Sequence, residues 1–189
     1  MREAWHRGRP RYAVWVLRVD DDAVLDRRAS MADLLAPHGA LPFTDPHITL
    51  FVAGFPTPAP LLDDDVADAL LDAQVAALVA ADLRAPRLLV GGLNAFLSCP
   101  ILEVRDPDGA LAAIRAPLGA EDLRFAPYVP HLTVGTFGDT RATGPVAAAI
   151  APLRALPPLP LRPSAVELVT FDAAAPGPLH TRARVALRA

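Results

Sequence analysis

The chain has 189 residues, of which 52% are apolar, 21% charged and 6% aromatic, a composition that fits a compact domain or two small lobes sharing a core and excludes general disorder. Its 18 basic residues stand against 21 acidic ones, and the resulting net charge of −3 excludes the basic surface that long duplex nucleic acid requires. All the basic residues are Arg, which excludes chemistry that needs a lysine amine, such as a Schiff base.

The cysteine content and the hydropathy pattern indicate the cellular compartment in which the protein is expected. Cys99 is the single cysteine, so an internal disulfide is excluded. No apolar stretch reaches the roughly 18 residues of a membrane span or follows a signal-peptide pattern. We therefore expect a cytoplasmic protein without a membrane partner.

Hydrophobic periodicity predicts strands and helices in irregular alternation. In chain order, the predicted elements are a strand at 12–19, a helix at 23–35, a strand at 47–52, a loop at 54–60, a helix at 64–83, strands at 87–90 and 101–104 on either side of a turn or bulge at Gly91 and Gly92, a helix at 108–118, a strand at 131–137, a helix at 145–153, a proline-rich link at 157–163, and strands at 165–171 and 182–187. This order predicts an α+β protein with largely antiparallel sheets. Residues 1–10 are predicted to form an N-terminal tail and residues 11–189 a single domain.

Two segments about eighty residues apart repeat one another. Residues 46–50 read Pro-His-Ile-Thr-Leu, and residues 130–134 read Pro-His-Leu-Thr-Val. Alternate side chains of a strand share a face, so His and Thr project together while the apolar residues point into the core. Each motif is therefore predicted to present an imidazole and a hydroxyl from a strand anchored by its buried neighbours.

These residue types suit acid–base chemistry on a phosphodiester. Imidazole has an ordinary pKa close to neutrality, so one of His47 and His131 can accept a proton while the other donates one. The hydroxyls of Thr49 and Thr133 lie one pleat repeat, about 6.5–7 Å, from their histidines and can donate hydrogen bonds to an anionic oxygen. This chemistry requires no metal, and a cyclic phosphodiester suits it because ring strain helps to expel the leaving oxygen.

The paired motifs resemble the signature of the 2H phosphoesterase superfamily, in particular its bacterial 2′-5′ RNA ligase-like and cyclic phosphodiesterase branch. The resemblance includes Gly91-Gly92, Phe96, residues 101–104 and residues 128–134, and it covers residues 11–187. It implies a bilobal, pseudo-two-fold fold in which two antiparallel sheets with outer helices form a central cleft. It also implies opening of 2′,3′-cyclic phosphates on RNA ends or nucleotides, with reversible 2′-5′ RNA ligation as the related reaction.

The candidate site residues follow from the motifs and their surroundings. The predicted catalytic residues are His47 and His131, and the predicted substrate-binding residues are Thr49, Thr133, Tyr128 and Phe43. We expect no metal and no cofactor, a small cyclic nucleotide or an RNA terminus as the partner, and a monomer. Some ligase-like members carry a basic residue shortly after the second motif, and Gly135 to Phe137 stand here instead, which argues against a long RNA.

Several alternatives remain open. The cleft could bind a nucleotide or RNA end without catalysis, or the enzyme could act on a non-nucleotide cyclic phosphate. The rings of Tyr128, Phe43 and Phe55 could stack on a base or close the core. Three arginines are candidate phosphate or carboxylate partners, with simple solvation as the alternative. They are Arg11, Arg124 and Arg141.

Overall fold

The computed structural model describes residues 5–119, 127–138, 143–175 and 177–189. The strands and helices follow in the order β1 (Arg11–Arg18), α1 (Asp22–Leu35), β2 (Ala40–Pro42), β3 (His47–Thr57), β4 (Asp65–Ala67), α2 (Asp68–Ala81), β5 (Leu88–Ala95), β6 (Pro100–Arg105), α3 (Ala110–Arg115), β7 (His131–Thr133), β8 (Gly135–Phe137), α4 (Thr143–Ile150), β9 (Leu159–Leu161), β10 (Ala165–Asp172) and β11 (His180–Ala186). Single turns of 3-10 helix follow α1, α3 and α4. The α+β class predicted from the sequence is confirmed.

Among the described residues, nine strands form one large sheet in the order β11-β10-β1-β3-β7-β6-β5-β9, with β4 paired to β3 outside this path. Neighbours along the path are antiparallel, whereas β4 is parallel to β3. The path divides into two halves of four strands, which meet where Ile48 of β3 lies opposite Leu132 of β7. The two antiparallel sheets expected from the sequence are thus continuous through one strand pair, in a pseudo-two-fold arrangement.

The helices cover one face of this sheet. On β1, the alternate residues Ala13, Trp15 and Leu17 are fully buried in one apolar cluster with side chains from all four helices. Trp15 also donates a hydrogen bond of 2.8 Å from Nε1 to Oε1 of the buried Gln74 on α2. Burial of this apolar surface supplies the main favourable free energy of folding. No helix within the described ranges is long and apolar enough to cross a membrane.

A second, small sheet links the two motif segments. Its strands β2 and β8 pair antiparallel, with Leu41 opposite Thr136. A Cβ atom on Gly135 would lie 2.6 Å from the carbonyl oxygen of Leu41, so only glycine permits this approach of the two backbones. The segment before the first motif is thereby joined to the segment after the second.

Four short features differ from the sequence-based expectation, and the first is β2, which no predicted strand covers. The predicted loop at 54–60 is wrong over residues 54–57, where β3 continues and pairs with β4. For the same reason α2 begins at Asp68 rather than at residue 64, because residues 65–67 are extended. The proline-rich link contains β9, an edge strand, where a proline without an N–H is tolerated. The expected irregularity at Gly91 and Gly92 is confirmed as a register shift between Val90 and Leu93.

Candidate active site

The two motifs lie on adjacent strands, β3 and β7, at the junction of the two halves. The antiparallel pair of Ile48 and Leu132 sets their register. In this antiparallel register, His47 of β3 lies opposite Thr133 of β7. By the same register, Thr49 lies opposite His131. Residues directly opposite have Cβ atoms about 4.5–5.5 Å apart, and diagonal neighbours are roughly 7–8 Å apart. Together these four residues form one surface, the motif face, which consists of His47, Thr49, His131 and Thr133.

The residues between them anchor the motif face from behind. Ile48, Leu50, Leu132 and Val134 are all buried, with exposures of 1% or less. The four residues of the motif face are partly exposed, as the two-residue period of the strands predicts. Because the anchoring side chains belong to the helix-covered core, the motif face looks away from the helices.

The two histidines lie on one diagonal of the motif face. Charge repulsion from a protonated His131 is among the causes that lower the pKa of His47, after burial and the Arg18 guanidinium. Diagonal neighbours are roughly 7–8 Å apart, with their Cβ atoms somewhat closer, so the two rings are within reach of one small anion. The sequence predicts that distant segments supply the pair, and the structure brings the segments together.

Each imidazole contacts the backbone carbonyl of the residue two positions before it. Nδ1 of His47 lies 2.7 Å from the carbonyl oxygen of Asp45, and Nδ1 of His131 lies 2.7 Å from the carbonyl oxygen of Val129. A carbonyl oxygen can only accept, so Nδ1 carries the hydrogen in both rings. Nε2 is therefore the nitrogen left available to a ligand, as an acceptor in a neutral ring and as a donor in an imidazolium.

The surroundings of the two rings differ in burial and charge. The backbone contact of His47 is partly buried, whereas that of His131 is exposed. Burial lowers the pKa of His47 below its ordinary value, and the nearby Arg18 guanidinium lowers it further, against the opposing effect of Asp45. His47 therefore stays neutral to lower pH than a free histidine.

Two arginines brace the motif strands from the helices that follow β1 and β6. Arg28 of α1 donates from Nε to the carbonyl oxygen of Thr133 at 2.8 Å and from Nη2 to the carbonyl oxygen of Phe43. Arg115 of α3 donates from Nε to the carbonyl oxygen of Leu50 at 2.9 Å. A guanidinium from the first half of the fold thus holds the motif strand β7 of the second half, and a guanidinium from the second half holds the motif strand β3 of the first. Sequence reasoning missed both residues, because nothing distinguishes them among the 18 arginines.

A pocket of about 440 Å³ opens beside His131 and Thr49. One wall is Tyr128, whose hydroxyl donates to the carbonyl oxygen of Thr49 at 3.0 Å, and whose ring lies 3.9 Å from the Cζ atom of Arg115. Burial raises the pKa of the Tyr128 phenol well above its ordinary value, so it remains a hydrogen-bond donor. The aromatic, polar and charged residues that line the pocket are Thr49, Phe51, Phe96, Arg115, Tyr128 and His131.

The other aromatic candidates separate into two groups. The Phe43 ring lies 5.7 Å from the His47 ring, between centroids, so it adjoins the motif face. Phe55 lies at the far end of β3, is 1% exposed and packs on Tyr12, so it closes the core. Phe96 was not among the expected binding residues, yet its ring meets the His131 ring edge-on at 5.0 Å. Its position in a hairpin turn carries no periodic signal that could have marked it.

The arginine candidates do not adjoin the motif face within the described residues. Arg11 begins β1 opposite Asp172, at the other end of the strand from Arg18, which pairs with His47. Arg124 and Arg141 lie outside the described residues. In the described part of the chain, no three His, Cys, Asp or Glu side chains are grouped so as to hold a metal ion.

This α+β fold, whose largely antiparallel sheet presents two histidine–threonine motifs at its pseudo-two-fold centre, is characteristic of the 2H phosphoesterase class of proteins. The family model of the 2'-5' RNA ligase superfamily matches residues 27–175, well over half of the chain. The chain therefore belongs to that superfamily, and the resemblance noted in the sequence is confirmed. Family and fold support a phosphoesterase or ligase-like activity. No curated protein sequence matches the chain significantly.

Solved structures share the fold at low sequence identity. The crystal structure of E. coli LigT in apo form superposes with a TM-score of 0.63 at 16% identity, covering 96% of this chain and 100% of LigT. The protein TT0787 of Thermus thermophilus gives a TM-score of 0.65 at 18% identity, covering 94% of this chain and 98% of that one. LigT complexed with 3'-AMP gives 0.59 at 16% identity, covering 95% and 99%. At these identities the likeness shows the fold.

Proposed function

We propose that this protein opens 2′,3′-cyclic phosphates, on nucleotides or at RNA ends, by metal-independent acid–base catalysis. The observation that carries the proposal is the register of β3 and β7, which sets two histidines and two threonines on one face. Two imidazoles of this kind can serve as proton acceptor and proton donor in one reaction. Two hydroxyls between them can donate hydrogen bonds to the non-bridging oxygens of a phosphate.

In the hydrolytic direction His47 is the proton acceptor, because burial lowers its pKa and its neutral form persists to lower pH than that of a free histidine. Nε2 of His47 takes a proton from water as the water oxygen forms a bond to phosphorus. The bond between phosphorus and one ribose oxygen breaks, and His131 donates a proton to that oxygen from Nε2. The product is a ribose phosphomonoester with one free hydroxyl, and ligation is the related reaction in which the hydroxyl of an RNA end replaces water.

The pocket beside His131 is suited to a nucleobase. Its volume of about 440 Å³ falls within the range of small-molecule sites, and aromatic rings from Phe51, Phe96 and Tyr128 line it. Aromatic side chains bind bases by stacking, with little dependence on base identity. LigT has been crystallised with 3'-AMP, ATP and NADP+, and these complexes with the related fold favour a nucleotide ligand for this chain as well.

The test is product analysis after incubation of the protein with 2′,3′-cyclic nucleotides in the presence of a chelator. We expect one ring-opened monophosphate, and we expect His47→Ala and His131→Ala each to lower kcat by about 10²–10⁴-fold. His180→Ala, on the exposed edge strand β11, is the matched control and keeps wild-type turnover.

Three outcomes contradict the proposal in different ways. Ligand binding without turnover would identify a binding module, and turnover confined to non-nucleoside cyclic phosphates would identify a different substrate class. Full activity in either histidine variant, with wild-type folding by circular dichroism, would remove the acid–base pair itself.

A further inference from the structure

Asp45 lies two residues before His47 in a strained backbone conformation. Its φ of +52° is in the left-handed region, which an aspartate adopts at a cost. Its main-chain carbonyl accepts the hydrogen bond from Nδ1 of His47 at 2.7 Å. The orientation of this carbonyl therefore decides which ring nitrogen of His47 carries the hydrogen.

The side chain of Asp45 is held from two other parts of the fold. Oδ1 lies 3.1 Å from Nη1 of Arg18 on β1, and Oδ2 accepts a hydrogen bond of 2.9 Å from the backbone N–H of Leu179, just before β11. Arg18 is held in turn, because its Nε lies 3.2 Å from Oε2 of Glu167 on β10. All three oxygens of Asp45 are thus engaged, and the side-chain contacts fix the residue that presents the carbonyl.

The second motif lacks this device at the equivalent position. The carbonyl that faces His131 belongs to Val129, at the same distance of 2.7 Å. Val129 has an apolar side chain that is 47% exposed, so it cannot form ion pairs or side-chain hydrogen bonds. The backbone contact is common to both motifs, whereas the charged clamp belongs to the first.

We propose that Asp45 is a positioning residue that keeps His47 in the Nδ1–H tautomer and so leaves Nε2 free to accept a proton. This inference rests on the proposed function for its effect on catalysis, although the tautomer itself does not depend on it. Within the described part of the chain, the charged and titratable groups around His47 are Arg18 from β1, His131 from β7 and Asp45 itself, with Glu167 from β10 behind Arg18.

The physical effect is preorganisation. A histidine side chain in water prefers the Nε2–H tautomer, in which Nε2 cannot act as a base. The hydrogen bond to a fixed carbonyl reverses this preference and orients the ring before substrate binds. Without the side-chain contacts of Asp45, the carbonyl of residue 45 can rotate. The ring must then be reoriented before proton transfer, which raises the activation free energy.

Asp45→Gly and Asp45→Asn separate the clamp from the backbone. Glycine adopts a φ of +52° without strain and keeps the carbonyl but loses the side-chain contacts. Asparagine tolerates the same φ and keeps a side-chain acceptor, so it serves as the conservative rescue. Asp82→Gly is the matched control: Asp82, at the C-terminal end of α2, also has a positive φ, of 43°, and its Oδ2 lies 3.0 Å from Nε of Arg188.

The experiment measures the imidazole nitrogens by ¹H–¹⁵N NMR at a pH where His47 is neutral, together with steady-state turnover of a 2′,3′-cyclic nucleotide. We expect Asp45→Gly to shift His47 toward the Nε2–H tautomer and to lower kcat by about ten- to a hundredfold with little change in KM. Asp45→Asn should lie between this variant and the wild type. Asp82→Gly should retain the wild-type tautomer and kcat, and His131 should keep its Nδ1–H tautomer in every variant.

An unchanged His47 tautomer in Asp45→Gly would overturn the inference, even if kcat fell, because the loss would then have another cause. A shifted tautomer with wild-type kcat would also overturn it, since the tautomer would not matter for catalysis. If the wild-type protein turns over no cyclic phosphate, the proposed function fails, and the tautomer comparison alone decides whether Asp45 positions His47.

Discussion

The two motifs have the same residues in the same strand geometry, but their surroundings differ. Charged residues surround His47, where Arg18 lies between the carboxylates of Asp45 and Glu167. His131 has Glu103 opposite it on β6, the Phe96 ring edge-on at 5.0 Å, and an open pocket with aromatic walls alongside. A pseudo-symmetric pair in asymmetric surroundings is suited to distinct roles, with a fixed proton acceptor on one side and ligand binding on the other.

The first test of this comparison replaces the threonines of the two motifs, and the expected effect is a large loss of kcat. Replacing Thr49 or Thr133 with Val keeps the strand-forming shape and removes one hydroxyl donor. If the hydroxyls bind the phosphate oxygens more tightly in the transition state, each variant should lower kcat by about 10²-fold. Steady-state kinetics on a 2′,3′-cyclic nucleotide measures this effect. A rise in KM alone, with kcat unchanged, would show that the threonines bind the ground state and transition state equally.

The bracing arginines give a smaller effect, on stability. Arg28→Met leaves the carbonyl oxygens of Thr133 and Phe43 without their guanidinium partner. We expect a loss of about 2–4 kcal/mol in the free energy of unfolding, because hydrogen bonds to a charged group contribute about 1.5–3 kcal/mol each and these two, being partly buried, fall at the lower end.

Arg115→Met is the matched variant, since Arg115 contacts one strand carbonyl, that of Leu50, in the described part of the chain. We expect it to cost about 1–2 kcal/mol, including the lost contact with the Tyr128 ring. Urea unfolding of both variants measures the difference. Equal costs would show that the two halves are braced alike and that the asymmetry is confined to the motif face.

The sequence carries enough information for the long, periodic elements. β1, α1 and the motif strands have the alternation or helical spacing of apolar residues, and Asp21 caps α1 by accepting a hydrogen bond of 3.1 Å from the N–H of Val24. β4 and β9 have three residues each, too few for a period, and they form because a partner strand is available.

The candidate site is predictable in its residues and not in its arrangement. Two repeats of His-apolar-Thr indicate the candidate catalytic side chains, but the register that sets each histidine opposite the other motif's threonine depends on how the two halves join. Asp45 carries no recognisable signal either, because its role depends on a positive φ and on Arg18 and Leu179, which are distant in sequence. Local patterns cannot report contacts of that kind.

The pH dependence of kcat/KM for a 2′,3′-cyclic nucleotide, measured with a chelator present, tests most directly whether the two histidines act as an acid–base pair. The profile reports the free enzyme, in which the acceptor must be neutral and the donor protonated. Because the pKa of His47 is lowered, its neutral form persists to lower pH, and activity should be lost on acidification only below about 6.5. We predict a bell-shaped curve whose acidic limb lies below this value. A curve without an acidic limb, or one whose acidic limb lies above about pH 7, would contradict the assignment of His47 as the proton acceptor.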